Sequence, residues 1–385
     1  MEYSRCQQIS KIVLLSCFVF TFLNTCQAQT LVEVGRITAP HAAYVALVEN
    51  SNALDRMDKY TVMISGFNPL PFQHDCVYEV DGVGKNLRDN VSMSAREISR
   101  DITWPNEIDE VPEAVFDQSG LVSVAGGFLV PFKNHGSLTL FDMTVAPPVK
   151  HVLTDSTAAS WFYHRVEWRD MNGDGLLDIV TCRAKSHLFG STEGELVWFE
   201  HPQQGALTST ISQHLLDNKP RQPLGQPCHV ADLNGDGNLD LLVTNNALSH
   251  ASLFAYTIPA DFRSDSFPRR TLSTGYASRT SGQGRGAPGS PIIVYPETQV
   301  TTGKPWIILS GDDDGQAHLL KPASNDASDW SYQQTNFLDV GTGTVGGIAA
   351  GDMDGDGWTE VFVPSFDEGE VHVFSFRPAP SAPIG

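Results

Sequence analysis

The chain of 385 residues carries a formal net charge of −20, with 33 glycines, 23 prolines and only 18% charged residues. So acidic a balance excludes nucleic acid as the ligand, because phosphate binding needs clustered Lys and Arg to displace counterions. So many turn formers in a weakly charged chain point to short strands and tight turns, and away from a helical bundle.

Residues 1–28 have the form of an export signal: Arg5 and Lys11 give a basic start, Ile12 to Leu23 an apolar run, and Cys26 and Ala28 small residues before a cut. A bacterial lipoprotein signal is the alternative, since Leu23 stands three before Cys26, but Thr25 is a poor residue ahead of a lipidated cysteine. The apolar run is shorter than the about 20 residues that span a bilayer, and no second one follows. The expectation is therefore a secreted protein without a transmembrane span, with residues 29–385 forming one monomeric domain. Beyond residue 28 only Cys76, Cys182 and Cys228 occur, too few for a disulfide-stapled miniature though enough for one pair. Asn90-Val91-Ser92 is a glycosylation sequon if the source is a eukaryote, which would make the product a glycoprotein.

Past the signal, Leu31 to Ile37 has strand character but no hairpin partner of its own. His41 to Val48 leads into an apolar hairpin, and Glu113 to Gly120 leads into another. Three related segments then follow: Asp170-Met-Asn-Gly-Asp-Gly-Leu-Leu-Asp178, Asp232-Leu-Asn-Gly-Asp-Gly-Asn-Leu-Asp240 and Asp352-Met-Asp-Gly-Asp-Gly-Trp-Thr-Glu360. The first two stand about 60 residues apart and the last two about twice that, so a hidden unit is expected near residue 292. There Pro291 to Glu297 and Trp306 to Leu320 read as strand, turn, strand. Six units result. Joining strands are expected at 95–102, 149–154, 211–216, 268–273 and 333–338, ahead of units two to six.

No such strand follows Phe376 in the sixth unit, and Leu31 to Ile37 is the piece that would complete it and leave no exposed sheet edge. The fold expected is thus all-β: a six-bladed β-propeller closed by its N-terminal strand, with a divergent seventh blade as the alternative. The acidic segments, Ala349-Ala-Gly-Asp-Met-Asp-Gly-Asp-Gly357 above all, resemble the FG-GAP/VCBS repeat family, the unit of the integrin-α-type propeller. The resemblance implies adhesion-type binding. Leg domains and a membrane span, which a whole integrin has, are missing.

Calcium takes six to eight oxygens, so a compact loop must turn several carboxylates toward one point, and alternating positions do this. In the first loop Asp170, Asn172 and Asp174 would offer side-chain oxygens, Leu176 a carbonyl and Asp178 the closing carboxylate. The same roles fall to Asp232, Asn234, Asp236, Asn238 and Asp240, and to Asp352, Asp354, Asp356, Trp358 and Glu360. About three Ca²⁺ sites are expected. The third loop, with four carboxylates whose repulsion opposes folding without a cation, would fill first. An EF-hand is excluded, because the twelfth positions are Thr181, Val243 and Val363 and strand-forming residues follow each loop. Asp312-Asp313-Asp314-Gly315 falls on a later hairpin turn and is read as solvated.

His41, His164, Arg165, Glu167, Cys228 and His229 lie just ahead of the acidic loops, on strands expected nearest the central channel. No nucleophile and base stand at a recognisable spacing among them. The function expected is an extracellular, calcium-stabilised scaffold that binds a protein or a glycan. The alternative is a secreted carbohydrate-active enzyme of the lyase or dehydratase type with its site in the channel, for which His164, Glu167 and His229 should converge.

Overall fold

The computed structural model describes residues 31–49, 53–70, 72–128, 133, 135–145, 147–155, 161–186, 192–201, 212–217, 228–259, 267–282 and 284–378. The expected signal at 1–28 lies outside them.

Six sheets are arranged as blades, five of them antiparallel and ordered from the channel outward in chain sequence; the sixth is closed by the N-terminal strand, on whose edge Met93–Ser94 pairs in parallel. Blade one comprises Ala42–Glu49, Tyr60–Gly66, Cys76–Val80 and Arg96–Ser99; blade two Pro105–Glu110, Leu121–Gly126, Ser137–Asp142 and Val149–Asp155. In blade three the inner strand is broken into Phe162–Tyr163 and Glu167–Arg169, both paired with Asp178–Ser186, and Thr192–Glu200 and Ser212–Asp217 follow. Blade four runs Cys228–Ala231, Asp240–Thr244, Ala251–Thr257 and Arg269–Tyr276; blade five, the hidden unit, Pro291–Val294, Trp306–Ser310, Gln316–Pro322 and Tyr332–Asp339. Blade six takes Ala349–Gly351, Glu360–Ser365 and Glu370–Ser375 from the C-terminal end and Val32–Thr38 from the N-terminal end. The closure expected from the sequence is therefore present, with Val32 opposite Ser375 and Thr38 opposite Glu370.

The blades adhere through alternate residues of their strands. Ile37, Val62, Ile64, Phe362 and Val373 form one cluster between blades six and one, and Ile292, Ile308, Val361 and Phe374 another between five and six. At the seam the chain entering blade six runs close along the inner strand of blade one: Gly347 N–H donates to the Ala43 carbonyl at 2.8 Å, and Val45 N–H to the Gly347 carbonyl at 3.0 Å. A Cβ on Gly346 would stand 1.7 Å from the Ala43 oxygen, so glycine is required for that approach.

Two short helices were not expected. Glu113–Phe116 occupies the loop of blade two, which carries no Gly-Asp-Gly, and Val83–Asp89 is inserted ahead of the outer strand of blade one. Gly84 of the latter packs against the Met353 carbonyl and so buttresses the acidic loop of blade six. Among the described residues no helix is long and apolar enough to cross a membrane. Cys76 and Cys182 are buried free thiols.

Candidate functional site

All three acidic loops join the channel end of an inner strand to the second strand of its blade, in blades three, four and six. Paired glycines at positive φ turn each one: Gly173 and Gly175, Gly235 and Gly237, Gly355 and Gly357. The closing acid reaches back in every case. Asp178 accepts from Met171 N–H at 2.9 Å, Asp240 from Leu233 N–H at 3.2 Å, and Glu360 from Met353 N–H at 2.8 Å.

Beyond that the loops part. In blade three Asp170 is occupied by the N–H groups of Gly173, Asp174 and Gly175, and in blade four Asp232 by those of Gly235, Asp236 and Gly237. Asn172 donates to Asp174 at 3.1 Å, and Asn234 to Asp236 at 2.9 Å. In these two loops the first aspartate is thus held by three backbone N–H groups. In blade six Asp352 accepts through Oδ2 from Gly357 N–H at 3.1 Å and from the Thr298 hydroxyl at 3.4 Å, and its Oδ1 is buried with no partner among the described residues. Asp352, Asp354 and Asp356 there bring one oxygen each within 4.8 Å of the others. Burial and the neighbouring Asp354 and Asp356 push Glu360 up to about 8. The donor set of blade six, three clustered carboxylates with an orphaned oxygen, fits a hard divalent cation. Three arginines supply positive charge to the same loop: Arg56 lies 3.7 Å from Asp352, Arg377 3.1 Å from Asp356, and Arg88 donates to the Asp354 carbonyl at 2.8 Å.

Inside the channel, Arg165 stands 2.5 Å from Glu107 and 3.1 Å from Glu167, and donates to the Pro291 carbonyl. Glu167 also contacts His229 Nδ1 at 3.0 Å and Arg169 at 3.7 Å. Burial pushes Glu107 up to about 8, against the pull of Arg165. Burial acts on Glu167 in the same sense, but His229 and Arg165 outweigh it and hold it near 2. His164 points elsewhere. It is buried against the edges of Phe128 and Phe162, neither ring nitrogen has a partner among the described residues, and burial lowers it to about 3. The convergence of His164, Glu167 and His229 that an enzyme built on them needs is absent, and Glu167 is committed to a closed ion network. His41 lies beside the Phe366 ring, and the Cys228 side chain is outside what is described.

The opposite end of the inner strands opens on a cavity of about 180 Å³ at the channel mouth. Phe366, Phe67, Trp104 and Phe128 form a continuous aromatic wall, with successive ring centroids 5.0, 4.2 and 4.9 Å apart. Tyr44, Asn106, His164, Arg285, Asp312, Asp313 and Thr344 add polar groups. The acidic turn 312–314 is thus no solvated bend. Asp313 is 3% exposed, pairs with Arg285 at 2.5 Å and accepts from Gly286 N–H and the Thr344 hydroxyl, while Asp314 meets His318 at 2.8 Å. Burial and Asp313 raise Asp312 well above the ordinary carboxylate range. The sequence did contain a signal for this wall: Phe67, Phe128 and Phe366 all fall just after the second strand of their blades, and Asp312 occupies that position in blade five.

Residues 170–243, from the loop of blade three into the second strand of blade four, match the FG-GAP-like repeat family. The chain therefore carries that repeat within a six-bladed propeller. No curated protein matches it in sequence. Among solved structures, a mutant α-L-arabinofuranosidase from Fusarium graminearum in complex with an iminosugar inhibitor is similar with a TM-score of 0.54 and 12% identity, over 90% of this chain and 97% of that one. The GH93 α-L-arabinofuranosidase of Fusarium graminearum with arabinobiose gives 0.52 and 12% over the same shares. At such identity the likeness is one of fold.

Proposed function

We propose that the protein is an exported, calcium-stabilised propeller that binds glycans at the aromatic-walled mouth of its channel. The observation that carries this reading is the cavity itself. A concave site that combines apolar ring surface with a few convergent polar groups suits a ligand with C–H faces and hydroxyl edges, which is what a sugar presents. Calcium belongs to the other end of the strands, where Asp352, Asp354, Asp356 and Glu360 would hold it in blade six, with the Trp358 carbonyl. There it would supply the positive charge that lets these acids sit together. Export rests on the form of residues 1–28. The fold likeness to glycosidases adds an analogy to this reading, and the adhesion role of integrin-type propellers another.

The test is a glycan array probed with the secreted protein and with Phe366→Ala. Binding that the variant weakens at least tenfold, at unchanged thermal stability, supports the site. Equal binding by the variant, or no glycan bound by either, sinks it.

A further inference from the structure

The cavity wall is apolar on the side of blades six, one and two, and polar where blades one and five face each other. Several of its polar side chains have unused hydrogen-bonding capacity: both ring nitrogens of His164 lack a partner among the described residues, and groups on Tyr44 and Asp312 are free as well. The Tyr44 hydroxyl has no partner among the described residues. Asp312 accepts from Asn246 at 2.8 Å through Oδ2, and its Oδ1 has no described partner. The other charged groups at the mouth are already matched: Arg285 is bound by Asp313 and Thr344, and Asp313 by Arg285, Thr344 and Gly286. The space, about 180 Å³ and open at the channel mouth, is of a size to take one sugar ring.

Resting on the glycan reading above, we propose that the cavity takes a single neutral sugar residue, its hydroxyls held between Tyr44 of blade one and Asp312 of blade five. A phenol and a carboxyl together both donate to and accept from hydroxyl groups. A sugar carboxylate would be the wrong ligand, because Arg285, the one cation among the described residues that line the mouth, is already neutralised by Asp313, and a further buried negative charge would have no partner among them. Burial and the charge of Asp312 keep the Tyr44 hydroxyl protonated, and so a donor.

The experiment measures binding of neutral oligosaccharides and of their uronic-acid counterparts to the full secreted chain, to Tyr44→Phe, to Asp312→Asn and to Phe366→Ala. Both polar substitutions keep shape, and asparagine tolerates the left-handed backbone of Asp312, at φ 53°. Neutral sugars should bind and acidic ones should not, and Y44F and D312N should each weaken binding about tenfold. A 2-fold or smaller change in both variants, with F366A still losing the sugar, overturns the assignment of the grip and leaves the glycan site standing. Preference for the uronic acids overturns the neutral-sugar assignment alone. Absence of any sugar binding removes the glycan reading and this inference with it.

Discussion

The loops of blades four and six share a nine-residue pattern, yet they reach different electrostatic states. In blade four both oxygens of the first aspartate accept from backbone N–H groups, three in all. In blade six the same position keeps an orphaned oxygen, three carboxylates crowd together, and arginines from outside the loop balance them. A helix inserted in blade one brings Arg88 to the Asp354 carbonyl, and Arg377, just past the last strand of blade six, reaches Asp356. A motif thus defines the geometry a loop can adopt, whereas its neighbours decide how much charge is left for an ion.

At a single pH the largest expected effect separates the two loops directly. Calcium at a hundredfold excess over its dissociation constant should stabilise the chelator-treated protein by about 2.7 kcal/mol per site. Asp354→Ala should remove most of the gain seen in thermal unfolding and Asp236→Ala little of it. Equal losses would erase the distinction between the loops.

The channel extends the comparison to pH, because Glu107 and Glu167 share Arg165 but are shifted in opposite directions. Glu167, near 2 in the folded state, contributes stability that is present above the ordinary carboxylate value and lost as pH falls toward 2. Glu107, near 8, binds its proton more tightly when folded, so stability falls as pH rises from about 4.5 to about 8. Glu107→Gln should flatten that alkaline limb, by up to about 1.4 kcal/mol per pH unit, and leave the acid limb in place. Denaturant midpoints across pH 3 to 9 measure both limbs, and an unchanged alkaline limb would mean that Glu107 is already ionised in the fold.

The smallest effect concerns Arg377, whose side chain is half exposed. Replacing it by alanine should tighten calcium binding roughly fivefold, about 1 kcal/mol, in line with the weakness of surface ion pairs. Calorimetric titration would show it, and an unaltered affinity would mean that the arginine does not compete.

Much of the fold was legible because it repeats. Strands at Val149–Asp155, Ser212–Asp217, Arg269–Tyr276 and Tyr332–Asp339 lie where the period of about 60 residues placed them, and Pro291–Val294 lies at the hidden unit. Closure was legible because Leu31 to Ile37 had no partner of its own. The cavity was harder to see: Phe67, Phe128, Asp312 and Phe366 recur just after the second strand of their blades, but Tyr44 and Trp104 stand outside that pattern and only the closed ring brings all of them together. Asp312 to Asp314 misled for a related reason. Three acids beside a glycine are usually solvated; here Asn246, Arg285, Gly286 and Thr344 from elsewhere in the fold, and His318 on the next strand, make their burial possible.

The seam between Val32–Thr38 and Glu370–Ser375 has a consequence for biogenesis. Val32–Thr38, made early, has no place in a blade until Glu370–Ser375 has been made, so the ring stays open through the synthesis of the five blades between them.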